Sequence, residues 1–193
     1  MILSVLSLIF KLRRWKVYAP CPPEAKKCIM IAAPHTSNWD FVYAMVALKK
    51  LGLNPRFTIK KEMNVFLLGS WIRSLGALWI DRSPKDGSSE RLSMTQVMVD
   101  LFNENDTPLT VLVTAEGTRT LTTRWKSGFY YTALEAKVPI CLAFMDYKTR
   151  TTGVGMCFMP SDNIEEDMKI IMNFYRDKTG RHPESFALDE RYN

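Results

Sequence analysis

Apolar runs alternate with helical patterns along this chain. Residues 28–33 (CIMIAA) form a continuous apolar run and read as a buried strand. Residues 38–51 have helical spacing and stop at Gly52. Residues 56–60 and 77–81 read as short strands, separated by a helix near 64–74. Residues 90–103 read as a helix with Leu92, Val99 and Phe102 among its apolar positions. The run 109–113 (LTVLV) is a strongly β-branched strand. A helix over 127–137, strands over 138–144 and 153–158, and a last helix over 164–178 complete the pattern. Turn-forming residues cluster at 19–23 (APCPP), 83–89 (SPKDGSS) and 107–108, and no repeat or linker divides the chain. Strands alternating with helices predict an α/β layered fold in one domain, with a largely parallel central sheet flanked by helices. In such sheets ligands gather beyond the carboxyl ends of the strands.

The first ten residues (MILSVLSLIF) are apolar apart from Ser4 and Ser7. They reach half the ~20 residues a membrane span needs. Their basic residues, Lys11, Arg13, Arg14 and Lys16, follow the apolar run, whereas a signal peptide carries them before it. On a helix, Ser4, Ser7, Lys11 and Arg14 share one stripe, which predicts a short amphipathic helix lying in a membrane interface. The competing arrangement packs that helix on the protein's own core. The organisation expected is therefore an interfacial helix over 1–17 and one domain over 18–193.

The length of 193 residues agrees with about one domain at ~150 residues each. With 47% hydrophobic and 24% charged residues, a mainly disordered chain is excluded. Charge is unevenly placed. Residues 1–82 hold 13 basic and 4 acidic residues, a balance of +9, against 13 and 16, a balance of −3, in 83–193. A basic half invites an anionic partner. Cys21, Cys28, Cys141 and Cys157 show no C-x-x-C spacing, and only two histidines accompany them. No metal site is expected, and buried thiols are.

Candidate chemistry falls at strand ends. The 28–33 strand runs into Pro34-His-Thr-Ser-Asn-Trp-Asp40 and then a helix that Ser37 or Thr36 can cap. With His35 in the loop and Asp40 in the first helical turn, the chain can fold back and bring the carboxylate to the imidazole. That would fix the tautomer and raise the basicity of the other nitrogen, as a general base requires. A capping box with a chance histidine beside it is the other reading of this spacing. His182, in a charged C-terminal turn, is expected to be solvated. After the 109–113 strand comes Thr114-Ala-Glu-Gly-Thr-Arg-Thr120. Its glycine lets backbone N–H groups approach an anion, and its arginine offers a bidentate fork. It lacks the G-K-[ST] of a P-loop. Lys60, Lys61 and Arg82 follow two further strands and could converge with Arg119 on a crevice containing His35.

Together these segments resemble the 1-acylglycerol-3-phosphate (lysophospholipid, glycerolipid) acyltransferase family, and residues 162–168 (DNIEEDM), Phe174-Tyr175 and His182-Pro-Glu184 look like its compact bacterial branch. His35 and Asp40 match its H-x-x-x-x-D block, and Gly76 through Arg82 its second block. In the third block, F-P-E-G-T-R-S, residues Glu116, Gly117, Thr118 and Arg119 match, with Thr114-Ala115 in place of Phe-Pro and Thr120 in place of Ser. Val138-Pro139-Ile140 match the fourth block, with Leu142 where a second proline is usual. Lys126-Ser-Gly128 is similar to a K-x-G between the last two blocks. The resemblance implies an O-acyltransferase. His35, held by Asp40, would deprotonate an acceptor hydroxyl that attacks the thioester of acyl-CoA or acyl carrier protein. It further implies that Arg82 and Arg119 bind the acceptor's anionic head, that Glu116, Gly117 and Thr118 help place it, and that Lys60 or Lys61 adds positive potential. No cofactor or metal is implied.

The acceptor expected is a lysophosphatidate-like anionic lysolipid. An N-acylated amino-acid lipid, with a carboxylate head, would suit the same arginines. A non-catalytic module binding anionic lipid or nucleic acid is the remaining class. No nucleic-acid motif is present, so nucleic acid is not an expected partner. The basic N-terminal half then points to a peripheral protein on the cytoplasmic face of the membrane.

Overall fold

Strand β2 (Cys28–Ala33) is buried at all six positions. Neighbouring side chains of a strand point to opposite faces. Ile29, Ile31 and Ala33 therefore enter one core, and Cys28, Met30 and Ala32 enter another. The computed structural model describes residues 2–60, 76–80, 93–105 and 107–193. The helix expected near 64–74, the first residues of the one expected over 90–103, and Asp81 lie outside the described residues.

The other strands are β1 (Lys16–Tyr18), β3 (Pro55–Lys60), β4 (Ala77–Ile80), β5 (Thr110–Val113), β6 (Ile140–Asp146) and β7 (Thr151–Phe158). The seven strands form one sheet in the order β1-β7-β6-β2-β5-β3-β4. The five from β6 to β4 are parallel, while β7 runs antiparallel to β6 and β1 parallel to β7. This is the largely parallel α/β sheet expected from the sequence. Helices α3 (Met94–Asn103), α4 (Gly128–Glu135) and α5 (Ile164–Tyr175) cover the Ile29/Ile31 face. Helices α1 (Ile2–Leu12) and α2 (Asn38–Lys50) cover the other. Truncating a central side chain such as Ile31 or Leu142, both fully buried, to alanine would cost about 2–5 kcal/mol.

Two features depart from the sequence reading. Residues Lys16–Tyr18 pair with β7, so the division expected after residue 17 falls inside a sheet strand. Three residues are too few to show a period. Second, Cys141 and Cys157 form a disulfide, which corrects the expectation of four free thiols. The β6–β7 hairpin sets these residues directly opposite each other. Cys28 is a buried thiol, and Cys21 is half-buried.

Helix α1 docks on α2 through Phe10, which is 2% exposed, with Leu6 and Ile9 half-buried. Its opposite side leaves Val5, Leu8 and Leu12 exposed at 53%, 55% and 72%. The packing arrangement expected for this helix is present, and a row of apolar side chains is left exposed on its other side. Among the described residues, no helix is long and apolar enough to cross a membrane.

Candidate active site

Parallel register carries the ends of β2, β5 and β6 to one edge of the sheet. Ile31 pairs with Val113, and Ala33 with Phe144. The segments that follow, beginning at Pro34, Thr114 and Tyr147, therefore meet above neighbouring strands. Lys60, the last residue of β3, lies at the same edge. Lys61 and Arg82 lie outside the described residues.

The first of these segments turns directly into α2. Ser37 is the N-cap, its hydroxyl accepting from the Trp39 N–H at 3.3 Å. Asp40, at the third helical position, closes the capping box by accepting from the Ser37 N–H at 2.7 Å. The same oxygen, Oδ2, accepts from the Thr36 N–H at 2.7 Å. It also lies 3.7 Å from His35 Nδ1. The capping box and the histidine pair are thus one arrangement: the carboxylate that starts the helix also faces the imidazole. Asp40 is completely buried, and its second oxygen accepts from the Tyr147 hydroxyl at 2.6 Å. A buried carboxylate needs this many donors, because desolvation without them would cost several kcal/mol.

The second segment braces the first from below. A turn closes between the Thr114 carbonyl and the Gly117 N–H at 3.1 Å. Gly117 takes φ +69°, a left-handed conformation that suits glycine. The turn buries Glu116, 5% exposed, whose Oε1 accepts from the His35 backbone N–H at 2.9 Å. Among the described residues its Oε2 has no hydrogen-bond partner. Burial pushes the Glu116 carboxyl up to about 7, against the opposing pull of the hydrogen bond from His35. The carboxyl group of Glu116, a residue the resemblance assigns to placing the acceptor, grips the histidine loop. Gly117, Thr118 and Arg119 face outward. Thr118 and Thr120 hydroxyls lie 2.8 Å apart. The Arg119 guanidinium donates to the Asn38 side chain at the start of α2, which ties the arginine to the mouth of the His35 loop.

Three effects set the His35 imidazole. Burial lowers its pKa most, Asp40 raises it, and Arg119 lowers it again. The net shift is downward from the ordinary imidazole value of about 6.5. The shift favours the neutral imidazole. With Nδ1 on the carboxylate side, Nε2 is the nitrogen left to take up a proton. His182 is exposed, as expected, but its backbone N–H donates to the Thr36 hydroxyl at 3.2 Å. Beside it Gly180 packs on Thr36 and Pro34 so closely that a Cβ would stand 3.0 Å from the threonine.

Sequence reasoning missed Tyr147 and the contacts at residues 180–182. The position of Tyr147 just beyond a strand end was the signal that could have found it. Among the described residues no cluster of three or more His, Cys, Asp or Glu side chains could hold a metal ion.

A half-buried histidine facing a buried carboxylate, beside an exposed arginine at the carboxyl edge of a parallel sheet, suits proton transfer next to an anionic group. The chain belongs to the acyltransferase family, whose model matches residues 14–144. It is an acyltransferase. Among solved structures it is similar to the crystal structure of the 1-acyl-sn-glycerophosphate (LPA) acyltransferase PlsC from Thermotoga maritima. The two share 16% identity and a TM-score of 0.58, over 90% of this chain and 74% of that one. At this identity the likeness shows a shared fold. No curated protein matches the chain significantly.

Proposed function

We propose that this protein moves a fatty acyl group from an acyl thioester to the free hydroxyl of a lysophosphatidate-like lipid. The observation that carries the reading is the half-buried His35 imidazole 3.7 Å from the Asp40 carboxylate, with Arg119 at the same mouth. The fold shared with PlsC, named as a 1-acyl-sn-glycerophosphate acyltransferase, supports this choice of acceptor.

His35 Nε2 takes the proton of the acceptor hydroxyl as its oxygen attacks the thioester carbonyl. Collapse of the tetrahedral intermediate breaks the C–S bond, and the imidazolium returns its proton to the departing thiolate. Asp40 stabilises the imidazolium without itself being protonated, as in a serine-protease triad. Arg119 binds the anionic head, with Gly117 and Thr118 shaping the turn beneath it. By the resemblance, Arg82 would share that binding role and Lys60 or Lys61 would add positive potential; Lys61 and Arg82 lie outside the described residues. The transfer is direct and needs no cofactor or metal; acyl-CoA or acyl carrier protein enters as co-substrate.

The protein works peripherally, on the cytoplasmic face of the membrane. The exposed row Val5, Leu8 and Leu12 sits beside exposed Lys11, Arg13, Arg14 and Lys16. Each such base near an anionic surface adds about 1 kcal/mol.

The test is an assay of the full chain with hexadecanoyl-CoA or hexadecanoyl carrier protein as donor, against lysophosphatidate or an N-acylated amino acid. Phosphatidate formation, lost in His35→Ala, is the expected result. Turnover on the amino-acid lipid alone would replace the acceptor. Turnover surviving in His35→Ala would remove the mechanism.

A further inference from the structure

Asp40 is held from its far side by a residue outside the matched family segment. Tyr147 follows β6 and is 107 residues from Asp40 in sequence. Three sets of contacts fix it independently of Asp40. Its backbone N–H donates to the Thr179 carbonyl at 2.9 Å. The preceding Asp146 ties the turn together, accepting from the N–H groups of Lys148 and Thr179 and from the Thr149 hydroxyl. Its ring stands edge-on to Trp15, with centroids 4.8 Å apart, and lies 6.1 Å from Tyr43. A phenol held this way arrives at Asp40 Oδ1 already oriented, so little freedom is lost when the 2.6 Å hydrogen bond forms.

We propose that Tyr147 is a positioning residue for His35: its hydroxyl, donated to Asp40 Oδ1, keeps Oδ2 turned to the imidazole and draws off part of the carboxylate charge. The inference rests on the reading of His35 as the base. Short hydrogen bonds to an ionised acceptor are the stronger kind. A carboxylate sharing its charge with a phenol attracts an imidazolium less than an unshared one. Tyr147 therefore trades some of the base strength of His35 for a fixed geometry. The phenol remains protonated throughout, because burial, then Asp40, holds its pKa far above the ordinary range. The groups that bear on this relay are Asp40, Glu116 and Arg119 around His35, and Tyr43 and Arg181 around Tyr147.

Tyr147→Phe keeps the ring against Trp15 and removes only the hydroxyl. With lysophosphatidate and hexadecanoyl-CoA, kcat should fall roughly tenfold while KM stays within about twofold, the pattern of lost alignment rather than lost binding. The acid limb of the rate profile should move to higher pH. The chain has two histidines, so NMR resolves both. The His35 midpoint should rise, on the order of half a unit, while His182 stays in place. Packing alone would move neither His35 nor the acid limb. A variant with parental kcat and an unmoved His35 midpoint overturns the inference while the base reading stands, provided His35→Ala is inactive. An active His35→Ala overturns both. Should Tyr147→Phe not fold, 3-fluorotyrosine at position 147 keeps ring and hydroxyl and is a stronger donor. The His35 midpoint should then fall, and an unmoved midpoint again overturns the inference.

Discussion

The loops after β2 and β5 lie side by side on neighbouring strands, yet they are built in opposite ways. In the first, Asp40 is fully buried and takes three hydrogen bonds, and Thr36 is buried beneath Gly180. In the second, only Ala115 and Glu116 are buried; Gly117, Arg119 and Thr120 stand in solvent. On the proposed mechanism the first loop carries proton transfer, which tolerates little misplacement, and it is the loop braced from several elements. Recognition of an anionic head must admit and release a ligand, so the loop suited to it is left open. Glu116 joins the two, rooted in the open loop and gripping the backbone of the braced one.

That contrast can be broken at graded points. The largest effect should come from His35→Ala: about a 10³-fold loss of kcat with the melting temperature close to the parent, measured by steady-state acyl transfer and thermal unfolding. Parental turnover would end the idea that the braced loop holds the chemistry. Asp40→Asn keeps the shape but removes the charge that favours the imidazolium. We expect a loss of about 10²-fold in kcat and an acid limb shifted to lower pH. In the parent, that limb should itself lie below about 6.5, because burial outweighs Asp40 at His35.

Arg119→Ala probes the open side. KM for the anionic acceptor should rise about tenfold or more, with kcat changed far less, since the role proposed for the arginine is binding. An equal fall in kcat with unchanged KM would place Arg119 in the chemistry instead. The last effect concerns stability rather than turnover. The Glu116 carboxyl is raised from 4.5 to about 7 on folding. The folded state thus holds more protons than the unfolded one across that window, and stability falls as pH rises through it, by about 3 kcal/mol in all. His35 acts in the opposite sense: its depressed pKa contributes stability above about 6.5 that is lost on acidification. Comparing Glu116→Gln with the parent isolates the first effect. Melting from pH 4.5 to 8 should show the variant gaining on the parent as pH rises, and parallel curves would contradict it.

Much of this arrangement was legible in the chain because it is local. The strand over 28–33 was read at its observed bounds, since a continuous apolar run is the mark of a strand buried on both faces. His35 and Asp40 could be paired because they lie only five positions apart and a capping box joins loop to helix. The strand over 153–158 begins two residues earlier, at Thr151, where polar side chains hide it. Tyr175 entered the sequence reading only as part of the Phe174-Tyr175 pair, with no sign of what its hydroxyl would bind. Its hydroxyl donates to the carbonyls of both Ile31 and Ala143, which anchors α5 beneath the site.

By itself, the sequence determined the α/β alternation, the core strands and the histidine–carboxylate loop. Each depends on periodicity or on contacts a few residues apart. Tertiary structure alone decided three things: the Tyr147 brace on Asp40, the turning of Glu116 inward onto the His35 backbone, and the Cys141–Cys157 bond. Each depends on strand order and register, which bring together residues up to 107 positions apart. No local pattern encodes such a meeting, because it follows from how whole elements pack.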